Sequence, residues 1–340
     1  MVLLSGVIEL DNAAAVSNDS VMVAPKATRS RYAQSLLLLY VFAWPAVILL
    51  APVFWIYHPL AGVLFALVIG LHVNTQLGLF YHELWHQAFF KTQSYNRFFF
   101  WLISFYLCTS PQFYGIAHAT HHKDIHTYDD LEFWPANKNT TVARARIGLI
   151  FELCFGIIAW TFRVAPAIWK HKNYSRRVSI LFPCGWLLMF ATLMFASYSL
   201  YGSLYWYAAI AYWLHLLLFA VSLRMLQYSE HLGITAPGLD YKTRVKLTRN
   251  TRREGLLNRL WHKITLNETT EHTLHHMRAG VPYRRYMPLP PPPPSNPVRP
   301  VSVASLPRII WEYWKDPLRE IHAESPDLDE IPNPGADGSQ

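Results

Sequence analysis

Eight histidines fall into three short clusters: His82–Glu83–Leu84–Trp85–His86, His118–Ala119–Thr120–His121–His122 and His272–Thr273–Leu274–His275–His276. On a helix, residues three or four apart share a face, with Cβ atoms about 5–6 Å apart. Each cluster can therefore aim two or three imidazoles at one point. A lone histidine pair arises on many surfaces by chance. Three clusters, two with the same HxxHH spacing, do not fit that explanation. Imidazole suits iron, zinc or copper, and a structural or catalytic tetrahedral ion takes only three or four protein ligands. The spacing therefore predicts a two-metal site.

Two other readings compete for the same residues. HELWH also spells HExxH, in which two histidines bind zinc and the glutamate is the base of a metallopeptidase. That reading leaves both HxxHH clusters without a role, and no clear aspartate motif supplies a third ligand. A metal transporter with a histidine-rich loop would place ionisable residues across the membrane. Here the apolar stretches hold only His72 and His215 as mid-span candidates.

The elements that must position the clusters are membrane helices. Of 340 residues, 52% are hydrophobic and only 15% are charged, against about 25% charged in soluble domains. Tyr32 to His82 and Val178 to Leu223 contain no Asp, Glu, Lys or Arg. Each stretch is long enough for two helices of about 20 residues, the length that crosses a ~30 Å hydrocarbon layer. Pro59 divides the first into Ser35–Tyr57 and Leu60–Phe80, and Tyr201–Gly202–Ser203 divides the second into Ser179–Leu200 and Leu204–Leu223. The expected fold is an all-α integral membrane protein with four transmembrane helices in two hairpins and a cytoplasmic helical cap carrying the histidines.

All 30 Lys and Arg residues lie outside the two charge-free stretches. Basic residues beside spans favour the cytoplasm, which places both termini and the 91–177 segment there, with all three clusters on that side. The net charge of +8 then fits contact with anionic lipid headgroups and calls for no nucleic acid. Cys108, Cys154 and Cys184 are scattered, so neither a disulfide framework nor a cysteine metal cluster is expected. Acidic residues and a short apolar run near the start argue against a cleaved signal peptide.

Along the chain, residues 1–30 read as a polar tail and 31–289 as the membrane domain. Residues 290–340 read as a Pro-rich arm, a short amphipathic helix within Ser302–His322 and an acidic tail. Phe98–Cys108 is too short to span. Ile147–Trp169 has spanning length but carries Glu152 and Arg163; charges at mid-membrane are costly, so an interfacial amphipathic helix is expected. His72, Asn74 and Gln76 either line a substrate tunnel or make interhelical hydrogen bonds.

The clusters, in this order and spacing, resemble the three histidine boxes of the membrane fatty acid desaturase superfamily, which includes related hydroxylases. The resemblance runs from about Ser35 to Leu289, and Asn267–Pro282, NETTEHTLHHMRAGVP, is similar to the family's stretch around box three. It implies metal ligation by His82, His86, His118, His121, His122, His272, His275 and His276. It adds a ninth ligand, His231, preceded by an amide residue, Gln227. Metal-bound imidazoles usually donate their other N–H to an acceptor, and Gln227, Glu83, Asp129, Asp130, Glu230 and Glu271 are the nearby candidates. His126 stands close to box two but outside the family pattern.

The resemblance further implies two iron ions, O2 as co-substrate, and removal of two hydrogens from a fatty-acyl or similar aliphatic chain. A hydroxylase of the same superfamily shares the first hydrogen abstraction and is the alternative; the EHxxGHH box of alkane hydroxylases is absent. The chain has no HPGG of a cytochrome b5 domain and no four-cysteine ferredoxin set. Electrons are therefore expected from a separate ferredoxin or cytochrome b5 type protein.

Overall fold

The computed structural model describes residues 31–87, 89–132, 140–251, 256, 272–277, 299–301 and 306–322. The expectations for the first 30 residues, Glu271, the polyproline arm ahead of Arg299 and the tail beyond His322 lie outside these residues.

The first apolar stretch forms a helical hairpin, α1 (Arg31–Tyr57) and α2 (Pro59–Trp85). His58 caps α2 by accepting the Leu60 amide at 3.1 Å on Nδ1, and Pro59 sits at the first helical position, where its missing N–H costs nothing. Two buried polar pairs join the helices. Trp44 Nε1 donates to Asn74 Oδ1 at 2.8 Å, and Tyr40 Oη lies 2.9 Å from His72 Nε2. His72 and Asn74 thus make interhelical hydrogen bonds.

The second stretch forms α7 (Arg176–Tyr201) and α8 (Trp206–His231), joined by a 3₁₀ turn at Gly202–Tyr205. Trp186 Nε1 donates to Tyr212 Oη at 2.6 Å across 26 residues. An uninterrupted helix would hold those residues about 39 Å apart, so the chain doubles back. Among the described residues, three helical stretches are long and apolar enough to cross a membrane: Gln34–Tyr57, Pro59–Trp85 and Arg176–His231. The last contains this hairpin. In α7 only Val178, Leu193 and Ser197 are buried, while Leu188 and Phe195 are 71% and 73% exposed. Water would penalise such an apolar surface; hydrocarbon does not.

Between the hairpins come shorter helices: α3 (Gln93–Tyr106), α4 (Pro111–Asp124), α5 (Val142–Phe155) and α6 (Ile157–Lys170). The single helix expected over Ile147–Trp169 is therefore two helices. The break is Gly156, at φ +55°, where an added Cβ would stand 2.1 Å from the Ala220 carbonyl oxygen of α8. Only glycine permits that approach. Glu152 and Arg163, expected at an interface, instead turn inward. Glu152 is 4% exposed and pairs with Arg163 at 2.7 Å and with Arg224 of α8 at 2.5 Å.

α9 (Tyr241–Leu247), α10 (His272–Met277) and α11 (Leu306–Lys315) follow among the described residues. One short parallel pairing, β1 (Arg249–Thr251) with β2 (Arg299–Val301), departs from the all-α expectation. It returns the C-terminal segment to the helical body. There Tyr313 packs with Tyr228 and Leu149, and Arg146 Nε donates to the Trp314 carbonyl at 2.9 Å. The main core centres on α2, where Leu77, Phe80 and Leu84 meet Trp44, Ile103 and Tyr212.

Candidate metal centre

Helix ends and helix spacing bring the histidines together. α2 delivers His82 and His86 at its C-terminal end, and α8 delivers His231 at its own. Because both hairpins double back, these ends lie on one side. α4 contributes His118, His121 and His122, and α10 contributes His272, His275 and His276. The chain leaves α2, α4 and α8 through left-handed residues: Gln87 at φ 54°, His126 at φ 60° and Gly233 at φ 76°. Such residues commonly end helices.

The nine rings form two groups. His82, His86, His118, His122 and His275 make one; His121, His231, His272 and His276 make the other; each group's ligand atoms lie within 4.8 Å of one another. Each box was expected to aim at one point, but boxes two and three each divide between both groups. Helical geometry explains the division. At about 100° per residue, His118 and His122 differ by about 40°, whereas His121 points about 100° away from His122. In α10, His272 and His276 stay together and His275 crosses to the other group.

The nitrogens converge as a metal requires. In the five-ring group, Nε2 atoms lie 3.2 Å apart for His118 and His86, 3.1 Å for His122 and His118, and 3.1 Å for His275 and His122. In the four-ring group the separations are 3.2 Å for His121 and His276 and 3.0 Å for His276 and His272. Two nitrogens bound at about 2.1 Å to one ion stand about 3.0–3.4 Å apart, for angles between square and tetrahedral. The donor set fits a metal in each group.

Carboxylates orient two of the rings. His118 Nδ1 donates to Glu132 Oε2 at 2.6 Å, and His121 Nδ1 donates to Asp130 Oδ2 at 2.8 Å. A neutral ring that donates from Nδ1 presents its Nε2 lone pair to the shared point. Asp130 was expected in this role; Glu132 was not. Glu132 lies 14 residues from His118 across a turn, so only its place in the acidic run after box two hinted at it. Asp129, also expected there, is exposed. Glu230 places Oε2 3.6 Å from His272 Nε2, and Glu83 is buried in α2. Gln227, expected beside His231, donates to Glu132 Oε1 at 2.8 Å and accepts from Arg224 at 3.0 Å. Arg224 also donates to the Glu132 carbonyl at 3.0 Å. The Glu152–Arg224 pair, missed because its members read as separate surface charges, therefore supports the Glu132–His118 arm.

Electrostatics keep most rings neutral. Burial, followed by neighbouring imidazoles, pushes His86, His118, His122, His272, His275 and His276 well below the usual 6.5. His121 goes the other way: burial alone would lower it, but the Asp130 carboxylate reverses the sign. Burial lifts Glu132 to about 7, against the pull of His121.

Below the rings lies an apolar cavity of about 860 Å³, counting its open mouth. His82, His118, His121 and His272 form its metal end, and Thr75 and Phe219 lie deeper between α2 and α8. Helices apolar enough to span a membrane are thus crowned by two imidazole groups able to hold metal at the end of an apolar cavity. Over residues 57–291, more than half its length, the chain matches the fatty acid desaturase family, and it belongs to that family. Comparison with curated proteins and with solved structures gave no match.

Proposed function

We propose that this protein is an O2-dependent di-iron desaturase that introduces a double bond into a fatty-acyl or similar aliphatic chain. The observation that carries the reading is the joint placement of two imidazole groups at the inner end of one apolar cavity. A hydrolytic zinc site built on HELWH would need only His82, His86 and one further ligand. Here His82 and His86 share their point with three more imidazoles.

Iron, when bound, supplies the oxidising power for inert C–H bonds, which acid–base groups lack. The chain's own residues do the rest. His82, His86, His118, His122 and His275 hold one ion; His121, His231, His272 and His276 hold the other. Asp130 and Glu132 fix ring orientation. Gly78, Leu223 and Phe219 line the apolar passage that holds the acyl chain and excludes water.

The two hairpins make four passes, with both termini and all three boxes on the cytoplasmic side, where the basic residues lie. Electrons come from a separate ferredoxin or cytochrome b5 type protein, steered by that basic face. The test is product mass from purified protein given iron, O2, a reductant and acyl substrates. A product lighter by two hydrogens is expected. A product heavier by one oxygen selects the hydroxylase alternative, and turnover without O2 sinks both.

A further inference from the structure

His126 belongs to neither imidazole group, yet it is 3% exposed and sits among the segments that build the four-ring group. Its backbone takes φ 60°, a left-handed conformation uncommon among non-glycine residues, in which asparagine, aspartate and histidine are the enriched types. Such conformations persist where the surroundings over-determine them, often at functional sites. Each of its polar contacts reaches a different segment. The His126 amide donates to Asp130 Oδ2 at 3.4 Å, the same oxygen that accepts from His121. Its carbonyl accepts from the Ala236 amide at 2.8 Å, just beyond His231 and Gly233. Its Nε2 shares a 3.0 Å hydrogen bond with Thr248 Oγ1. Thr248 in turn accepts on its carbonyl from Thr273 Oγ1 at 2.9 Å, and Thr273 follows His272 directly. The His126 ring also packs 5.1 Å from that of His231.

We infer that His126 is a positioning residue for the four-ring group: it ties the box-two turn, the segment after α8 and the box-three helix into the geometry that makes His121, His231, His272 and His276 converge. No equivalent contact from His126 reaches the five-ring group among the described residues. The effect of losing it therefore falls mainly on the four-ring group, which takes two rings from the tied box-three helix against one, His275, in the five-ring group. This inference rests on the reading that each group holds a metal.

The experiment titrates ferrous iron anaerobically into the metal-stripped full-length protein in detergent, for the unsubstituted chain, His126→Asn, Thr248→Val and the double variant. Asparagine tolerates the left-handed turn but is too short to keep the Thr248 bond; valine removes the hydroxyl at nearly constant volume. Each single variant should weaken one of two irons by about 10–100-fold, the usual cost of losing an outer partner, and the other by clearly less. The double variant should be little worse than either single one, because both break the same link. Unchanged binding of both irons in both variants overturns the inference. So does equal weakening of both irons with a matching fall in the thermal stability of the metal-free protein, which marks a merely structural role. An unsubstituted chain that binds one iron overturns the two-metal reading itself, and is recognised without any variant.

Discussion

The five-ring group reaches the surface through half-buried His82, His86 and His122, whereas all four rings of its neighbour are buried. Their assembly differs as well. The larger group draws four of five rings from two i,i+4 pairs, His82/His86 and His118/His122, so local helix geometry makes most of it. The smaller group has one such pair, His272/His276, and needs His121 and His231 from two further helices. It closes only when α4, α8 and α10 dock together. Local spacing tolerates small displacements of one helix against another; a four-ring site closed by long-range contacts does not. Each group has one orienting carboxylate, Asp130 on His121 in the smaller and Glu132 on His118 in the larger, and with four rings rather than five the smaller group has more to lose with its partner.

Removing a ligand should have the largest effect. His231→Ala and His121→Ala are expected to empty the four-ring group and abolish turnover, with affinity losses beyond the roughly 100-fold upper end for outer partners. His275→Ala leaves four rings in the larger group and should cost less affinity than His231→Ala. Elemental analysis of purified variants checks this. Equal metal loss from both would break the asymmetry, and one zinc with no iron in active protein would remove the di-iron reading.

The orienting carboxylates come next. Asp130→Asn keeps the shape but weakens the hold on His121, and about 10–100-fold in affinity or activity should be lost. Glu132→Gln should stand at the lower end of that range, because His118 is one of five rings. The reverse order would contradict the comparison.

Acidification probes the metal-free chain. Six rings have folded-state values pushed below about 6.5, their value in an unfolded chain. Below that pH the unfolded form takes up protons that the folded form refuses. Their contribution to stability is complete above 6.5 and is lost progressively as the pH falls. His121 has the opposite sign: raised by Asp130, it stabilises fully below 6.5 and loses that effect as pH rises through its folded value. Glu132, lifted to about 7 by burial, acts in the same direction as His121, because over this range its folded form takes up a proton that the unfolded form does not. Six rings outweigh these two groups, so the melting temperature of metal-stripped protein should fall between pH 7 and 5. Asp130→Asn, which removes the His121 contribution, should steepen that fall. A melting temperature that rises on acidification would contradict the burial of these rings.

Much of this arrangement was legible in the chain because it depends on local spacing. The boxes are i,i+4 patterns, the hairpins follow charge-free runs broken at Pro59 and Gly202, and both can be read without knowing what packs where. The division of boxes two and three was implicit in the 100° step but needed a second helix to reveal it. What stayed hidden depends on contacts across the fold. Glu132 finds His118 across a turn, and Glu152 finds Arg224 across 72 residues. Hydropathy reads such charges as exposed because it cannot register pairing. Gly156 breaks a helix only because the α8 backbone passes within reach of its absent side chain.

The smallest effect should come from the region that both groups share, the cavity wall. Gly78 and Phe219 line it together, and a Cβ on Gly78 would stand 2.7 Å from the Phe219 ring. In Gly78→Ala the helix itself gains up to about 1 kcal/mol of propensity, while overpacking against a buried ring typically costs about 1–3 kcal/mol. The gain offsets only part of the cost, and a net loss of about 0–2 kcal/mol leaves the fold and both metals in place. The displaced Phe219 ring has room on the cavity side, which narrows the space for the acyl chain. One methylene in an apolar pocket is worth about 1–3 kcal/mol of discrimination, so turnover should shift toward shorter acyl chains by roughly tenfold. Competition between acyl chains of different length, read by mass spectrometry, measures the shift. An unchanged length preference with both irons retained would place the acyl chain elsewhere. Loss of one iron would instead show that the wall and the rings form one mechanical unit, and that the two groups are less independent than their construction implies.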